Sequence, residues 1–445
     1  MSNPYLEGLL APVTEEVTAH DVPVTGRVPS ELNGRYLRVG PNPLGLEDPE
    51  SYHLFTGDGM VHGVRLRDGR AEWYRNRWVR SRRVAAKLGE EWPAGPVFDD
   101  FDFAPNTNVI GHGGRTFALM EAGSRPYELS RDLGTLGPCD FGGTLKGGYT
   151  AHAKKDPATG ELHAVGYYFG WEHLEYTVLS ASGLVTRSLE IPVEDGPMVH
   201  DLALTQKYVI VYDLPVTFSM DMAMSGAALP YAWNDAHPAR IGLLPRTGDA
   251  TDVRWIDIEP CWVFHTMNAY DDGDRIVLDL VKFPSFLRDG RLEGNPPPVL
   301  DRWTIDPAAG TVARQTLDDR PQEFPRVDER LTSLPHRYGY TVASQAVGDD
   351  LGGEALLKYD YRTGRGDTRL FPAGSAVGEA VFVPAAPGSG EDDGYLMTLA
   401  YDAERGATDL VVVSAQDFTG DPVAVVHLPV RVPPGFHGNW LPDDG

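Results

Sequence analysis

Apolar and polar positions along this chain alternate over short stretches. Runs of alternating or β-branched residues recur between clusters of Gly, Asp, Asn and Pro, at 35–39, 61–66, 72–79, 116–120, 162–168, 208–212, 275–281, 356–361, 395–401, 410–414 and 423–428. Alternation marks a half-buried strand, and a short continuous β-branched run suits a strand buried on both faces. The dipeptides Asp68-Gly69, Thr159-Gly160, Asp272-Gly273, Thr363-Gly364 and Asp393-Gly394 tolerate the positive φ that tight hairpins require. Long helical patterns are nearly absent. Many short antiparallel strands at regular spacing predict an all-β sandwich, barrel or propeller. With no linker or low-complexity segment over this length, a single propeller domain is favoured. No clean repeat at a fixed period appears, so the blade number is not legible from the pattern. Residues 1–34 read as an irregular arm leading into one domain over 35–445.

Composition narrows the function. The 445 residues are 42% hydrophobic, enough for a large core. Net charge is −25, which argues against nucleic acid, because phosphate binding needs clustered Lys and Arg. Two isolated cysteines, Cys139 and Cys261, give neither a disulfide framework nor a thiolate zinc site. No basic start precedes an apolar stretch at the N-terminus, and no run of about 20 apolar residues occurs, so a cytoplasmic protein is expected. Nothing in the sequence implies a protein partner.

Candidate chemistry rests on histidine. Of thirteen, His20, His53, His112, His163, His173, His237, His336 and His427 mostly neighbour charged, Gly or turn residues and read as structural. His62, just after the Gly57-Asp58-Gly59 turn, reads the same way. Four others stand in apolar or small-residue settings beside strand-like sequence: Tyr149-Thr150-Ala151-His152, Pro197-Met198-Val199-His200, Val263-Phe264-His265-Thr266 and Pro434-Gly435-Phe436-His437-Gly438. There an imidazole at the end of a buried strand can be aimed by the scaffold. One reading converges these four on a metal; the other leaves them as satisfied core histidines. Spacing alone does not choose between them, and no paired-histidine helix signature is present. Residues 215–233 are Met-rich, apolar and bounded by prolines, too broken for a strand. They read either as a loop packed over the scaffold or as the apolar rim of a substrate entrance that touches a membrane.

Several stretches together resemble the carotenoid cleavage oxygenase family. They are Asn33-Gly34-Arg35-Tyr36 with Gly40-Pro41-Asn42-Pro43, Gly57-Asp58-Gly59-Met60, Arg77-Trp78-Val79-Arg80, Ala151-His152 with Asp156-Pro157-Ala158-Thr159-Gly160-Glu161, His200-Asp201, Phe264-His265-Thr266-Met267-Asn268 and Phe436-His437-Gly438. They span residues 33–438, and jointly they are specific where singly most are weak. The resemblance implies a seven-bladed β-propeller, with loops forming a dome over an axial Fe(II) held by His152, His200, His265 and His437. It also implies three glutamates behind the ligands: Glu121 for His200, Glu323 for His265 and Glu379 for His437. Solvated surface glutamates are the plain alternative, with Glu323 the least secure.

Chemistry is consistent with that assignment. Four neutral imidazoles suit iron and leave the ion its full charge. A glutamate that accepts the other ring N–H fixes tautomer and direction. Four ligands on an octahedral ion leave two positions open, for O₂ and water. The implied reaction is oxidative cleavage of an electron-rich C=C bond by O₂, giving two carbonyl products from a small apolar polyene. No protein acid, base or nucleophile is needed. The resemblance makes Trp78 a tunnel aromatic, with Phe264 and Met120 as further substrate contacts; core packing is the plain alternative for each. Stilbene- and phenylpropanoid-cleaving members place a Lys immediately before the first glutamate and a Tyr upstream, to bind a phenolic hydroxyl. Here that position is Met120, and residues 87–98 offer no Tyr. An apolar thioether favours a carotenoid or apocarotenoid over a phenol. A non-cleaving isomerase and a binding propeller remain the readings from other classes.

Overall fold

The computed structural model describes residues 3–443, except 100, 101, 104, 289, 293 and 345–351. Strands dominate; the α-helices among the described residues are the short Arg82–Leu88 and Met220–Met224. Among the described residues, seven antiparallel sheets of four or more strands, with one separate two-stranded hairpin, form a seven-bladed β-propeller.

The chain forms two compact units, one of residues 1–120, 124–140 and 351–445, the other of 121–123 and 141–350. In the second unit, three four-stranded sheets follow one another, each with its strands in sequence order. The first sheet runs from Lys154–Lys155 to Val185–Pro192, the next from Leu202–Leu204 to Arg254–Asp257, and the third from Trp262–Asp272 to Thr311–Asp318. Burial falls across the second and third of these sheets, and in the first it peaks in the two middle strands. Leu202–Leu204 is buried throughout, whereas Val185–Pro192 mostly alternates between half-buried and exposed positions. An inner strand packed on both faces is therefore continuously apolar, and an outer strand shows the period of two.

In the first unit both ends of the chain are sewn into sheets. Gly438–Pro442 pairs antiparallel with Gly34–Pro41, and Val24–Gly26 pairs with Ala424–His427. Thr18–His20 adds to the free edge of Arg70–Trp78. Residues 18–20 and 24–26, expected within an irregular arm, are thus strands. At three residues each they show no period of their own; the unpaired edges of longer strands supply the hydrogen bonds that order them.

The 215–233 stretch also differs from expectation. Val216–Phe218 and Tyr231–Trp233 are strands and pair with each other. Between them lies Met220–Met224, a single helical turn whose N-terminus is capped by Ser219 Oγ accepting from Met222 N–H. Pro215 and Pro230 flank the hairpin strands and do not interrupt them.

His163, on Leu162–Gly166, shows how a structural histidine is held. Its Nδ1 lies 2.7 Å from the Tyr176 hydroxyl, and its Nε2 lies 2.9 Å from the Arg246 guanidinium, which also pairs with Asp156 at 2.5 Å. Nε2 must accept from Arg246, so Nδ1–H donates and the ring is neutral. Burial first, then the charge of Arg246, pushes His163 down to about 4. The unfolded chain takes up this proton near pH 6.5, while the folded chain refuses it until about pH 4. The neutral ring therefore adds stability at neutral pH that is lost as pH falls from 6.5 towards 4, on the order of 3 kcal/mol. A His163→Gln variant loses this titration. Urea unfolding at pH 7, 5 and 4 should show a wild-type acid loss steeper than that of the variant by about that amount.

Candidate metal centre

Each candidate ligand lies on, or just before, a strand that ends the order of its sheet. His152 precedes Lys154–Lys155, His200 precedes Leu202–Leu204, and His437 precedes Gly438–Pro442. His265 lies within Trp262–Asp272, where pairing with Arg275–Phe283 slips register between Val263 and Thr266. An edge strand or a bulge can release a side chain from the ladder and re-aim it, which an interior strand cannot. In a propeller the short inner edges of the blades ring the channel.

One ligand nitrogen from each of His152, His200, His265 and His437 lies within 4.8 Å of the others. Within the second unit, His200 Nε2 and His265 Nε2 are 3.2 Å apart. The His152 ring centroid is 4.3 Å from that of His200 and 5.2 Å from that of His265. His152, His265 and His437 are buried, and His200 is nearly so.

Three carboxylates stand behind these rings. Glu121 Oε1 lies 2.5 Å from His200 Nδ1 and 3.3 Å from His152 Nε2, so it faces two histidines. Glu323 Oε2 accepts from His265 Nδ1 at 2.6 Å and from the Phe324 N–H at 2.5 Å. Glu379 Oε1 lies 3.0 Å from His437 Nδ1, while its Oε2 accepts from Gly438 N–H at 3.1 Å. Where Nδ1 is committed to a carboxylate, Nε2 is left as the lone-pair nitrogen. The residues after two of these glutamates, Ala122 and Phe324, have φ of 55° and 53°. A left-handed backbone costs a non-glycine residue about 1–3 kcal/mol; Phe324 adopts it within the strand Gln322–Arg326, and Ala122 in the turn after Arg115–Leu119.

These residues fit a divalent transition metal. Two cis nitrogens, each about 2.1 Å from an ion, stand about 3 Å apart, close to the Nε2 separation of His200 and His265. Four imidazoles form a neutral, borderline donor set suited to iron, zinc or copper, and unsuited to Mg²⁺ or Ca²⁺.

The other candidates are placed differently. Phe264 is buried edge-to-face against His200 at 4.7 Å and packs on Phe283 and Phe286, a brace for the ligand ring. Met120 is half-buried between Arg115–Leu119 and Glu121. Trp78 lies in a small cluster with Met60 and Val84, and its indole N–H donates to the Asn42 carbonyl at 2.8 Å.

Three residues near the site are not evident as such in the sequence. Phe324 stacks on His265 at 5.5 Å. Tyr167 donates its hydroxyl to Glu121 Oε2 at 3.2 Å; burial, and then the charge of Glu121, raises that hydroxyl well above its ordinary value, so it remains a donor. Asp201 follows His200 and is fully buried. Its position beside a ligand was the one available signal.

The chain matches the family described as Retinal pigment epithelial membrane protein over residues 10–442. A carotenoid cleavage oxygenase of Mycobacterium tuberculosis is 47% identical, across 99% of this chain and 98% of the relative. The cobalt-substituted apocarotenoid oxygenase of Synechocystis superposes with a TM-score of 0.85 at 30% identity, covering 97% of each chain. The lignostilbene dioxygenase of Pseudomonas brassicacearum superposes with a TM-score of 0.88 at 28% identity, covering 99% of this chain and 98% of that one. With a four-histidine site on a seven-bladed propeller, and with these relatives matched end to end, the chain belongs to the carotenoid cleavage oxygenase family of Retinal pigment epithelial membrane protein-like oxygenases.

Proposed function

We propose that His152, His200, His265 and His437 hold Fe(II), and that the protein cleaves a C=C bond of a carotenoid or apocarotenoid with O₂. The observation that carries this reading is the convergence of four imidazole nitrogens, with carboxylates on the far side of three rings. Fe(II) held there supplies the one-electron chemistry that lets O₂ react with a closed-shell alkene. The balance is simple: the C=C bond and the O=O bond break, two C=O bonds form, and no external reductant is consumed.

The protein's own part is to hold and to exclude. Glu121, Glu323 and Glu379 fix which nitrogen of each ring points inward and make the ligands more basic. Tyr167 fixes one oxygen of Glu121 by donating to it. No residue near the ligands is required to move a proton, since neither substrate nor product changes protonation. Which double bond reacts is a matter of where the polyene is held. Met120 gives that path an apolar thioether where phenol-cleaving members place Lys, and Trp78 and Phe264 are the aromatic candidates along it.

The similarity to a lignostilbene dioxygenase supports a second reading, cleavage of a stilbene or phenylpropanoid. Met120 argues against it, because a thioether cannot deprotonate a phenol. We further propose that the hairpin at 215–233 is the apolar rim by which a cytoplasmic protein meets a membrane to collect its substrate. Met220 and Met224 on its helical turn are 63% and 81% exposed. No helix among the described residues is long and apolar enough to cross a membrane.

Protein purified without oxygen should carry about one iron per chain. His265→Ala should abolish that, and Glu323→Gln should weaken metal affinity about 10–100-fold, read by chelator competition. Mass spectrometry after incubation with β-apo-carotenals in air should show two carbonyl fragments, and resveratrol should be a poor substrate. Efficient resveratrol cleavage would move the reading to stilbenes. In liposome flotation, a variant with Phe218, Met220, Met222 and Met224 changed to Ser should lose vesicle binding; equal flotation of both proteins would refute the membrane rim.

A further inference from the structure

We infer that Asp201 is a positioning residue that spaces three of the four imidazoles, acting through the backbone segments that carry them. The inference rests on the metal reading of the four histidines. Asp201 directly follows His200, and its side chain is fully buried. Its Oδ1 accepts from the Leu202 N–H at 2.7 Å, at the start of the strand after His200. Its Oδ2 accepts from the Thr266 N–H at 2.8 Å and from the Lys154 ammonium at 2.9 Å. Thr266 is the residue after His265, and Lys154 stands two residues after His152. One carboxylate is therefore joined to the segments of all three ligands of the second unit.

Asp201 makes none of the carboxylate–imidazole contacts described above, and this separates it from Glu121, Glu323 and Glu379. Those glutamates set tautomer and basicity ring by ring. Asp201 sets the distance between the strands on which the rings are mounted. The Thr266 bond falls within the stretch where Trp262–Asp272 slips register, so the ladder alone does not define that position. Thr266 is pinned from its other side by the Tyr212 hydroxyl, 2.6 Å from its Oγ1. Burying an ion pair is a poor way to gain stability, because desolvation offsets much of the attraction. What Asp201 and Lys154 provide instead is a fixed junction of three separate chain segments, and only an acceptor-only group can receive all three donors.

The test loads Co(II) without oxygen into the full chain, reading its d–d absorption and its affinity by chelator competition. Asp201→Asn keeps the shape of the side chain but turns part of it into a donor. Leu243→Ala, on Arg240–Pro245, two strands along the same sheet from Leu202–Leu204, serves as a control for general destabilisation. We expect Asp201→Asn to weaken Co(II) binding about 10–100-fold and to alter the d–d bands. Leu243→Ala should lower the melting temperature and leave both readouts as in wild type. Wild-type affinity and spectrum in Asp201→Asn would overturn the inference, as would affinity lost in step with stability in both variants. Should Asp201→Asn fail to fold, Lys154→Met is read by the same criteria. Wild-type protein that takes up no Co(II) would refute the metal reading itself, a failure distinct from an unchanged Asp201→Asn.

Discussion

An imidazole can offer a metal only one of its two nitrogens, and the other must be told what to do. That constraint organises the site. Glu121, Glu323 and Glu379 each engage the far nitrogen of a histidine, so three ligands have their near nitrogen defined before any ion arrives. The carboxylates are in turn held by their own neighbours: Tyr167 on Glu121, the Phe324 N–H on Glu323 and the Gly438 N–H on Glu379. Each layer exists to remove a rotation from the layer inside it. The propeller suits this arrangement because it presents many strand edges without exposing long ones.

Much of this was legible in the sequence, for reasons that can be stated. Strands covered on both faces announce themselves as apolar runs. Outer strands announce themselves by alternation. The candidate ligands stood out because His152, His200, His265 and His437 have apolar or small neighbours while most other histidines do not. That contrast is a burial signal, not a metal signal. His163 shows its limit: it is as buried as the ligands, yet its ring serves Tyr176 and Arg246. Only the joint set of motifs, read as a family resemblance, separated the two kinds of buried histidine.

What was not legible depended on partners distant in sequence. Thr18–His20 and Val24–Gly26 carry too few residues to show a period, and become strands because other strands leave edges open. The 215–233 hairpin was hidden because its two strands are three residues long and separated by a helical turn. Glu121 was expected to serve His200 and also faces His152, a sharing that depends on how two chain segments approach. Asp201 was visible as a letter beside a ligand, but its reach to Thr266 and Lys154 is purely three-dimensional.

The closing strand Gly438–Pro442 gives the site an order in time. Its pairing with Gly34–Pro41 joins the last segment of the chain to one of the first, and His437 stands immediately before it. At ordinary synthesis rates His437 leaves the ribosome on the order of ten to thirty seconds after His265. Through that interval the nascent chain lacks His437, while three histidines and Glu121 are already made and Glu323 and Glu379 follow. Completion of the four-histidine set and closure of the sheet that holds Gly34–Pro41 therefore wait on the same late stretch of chain.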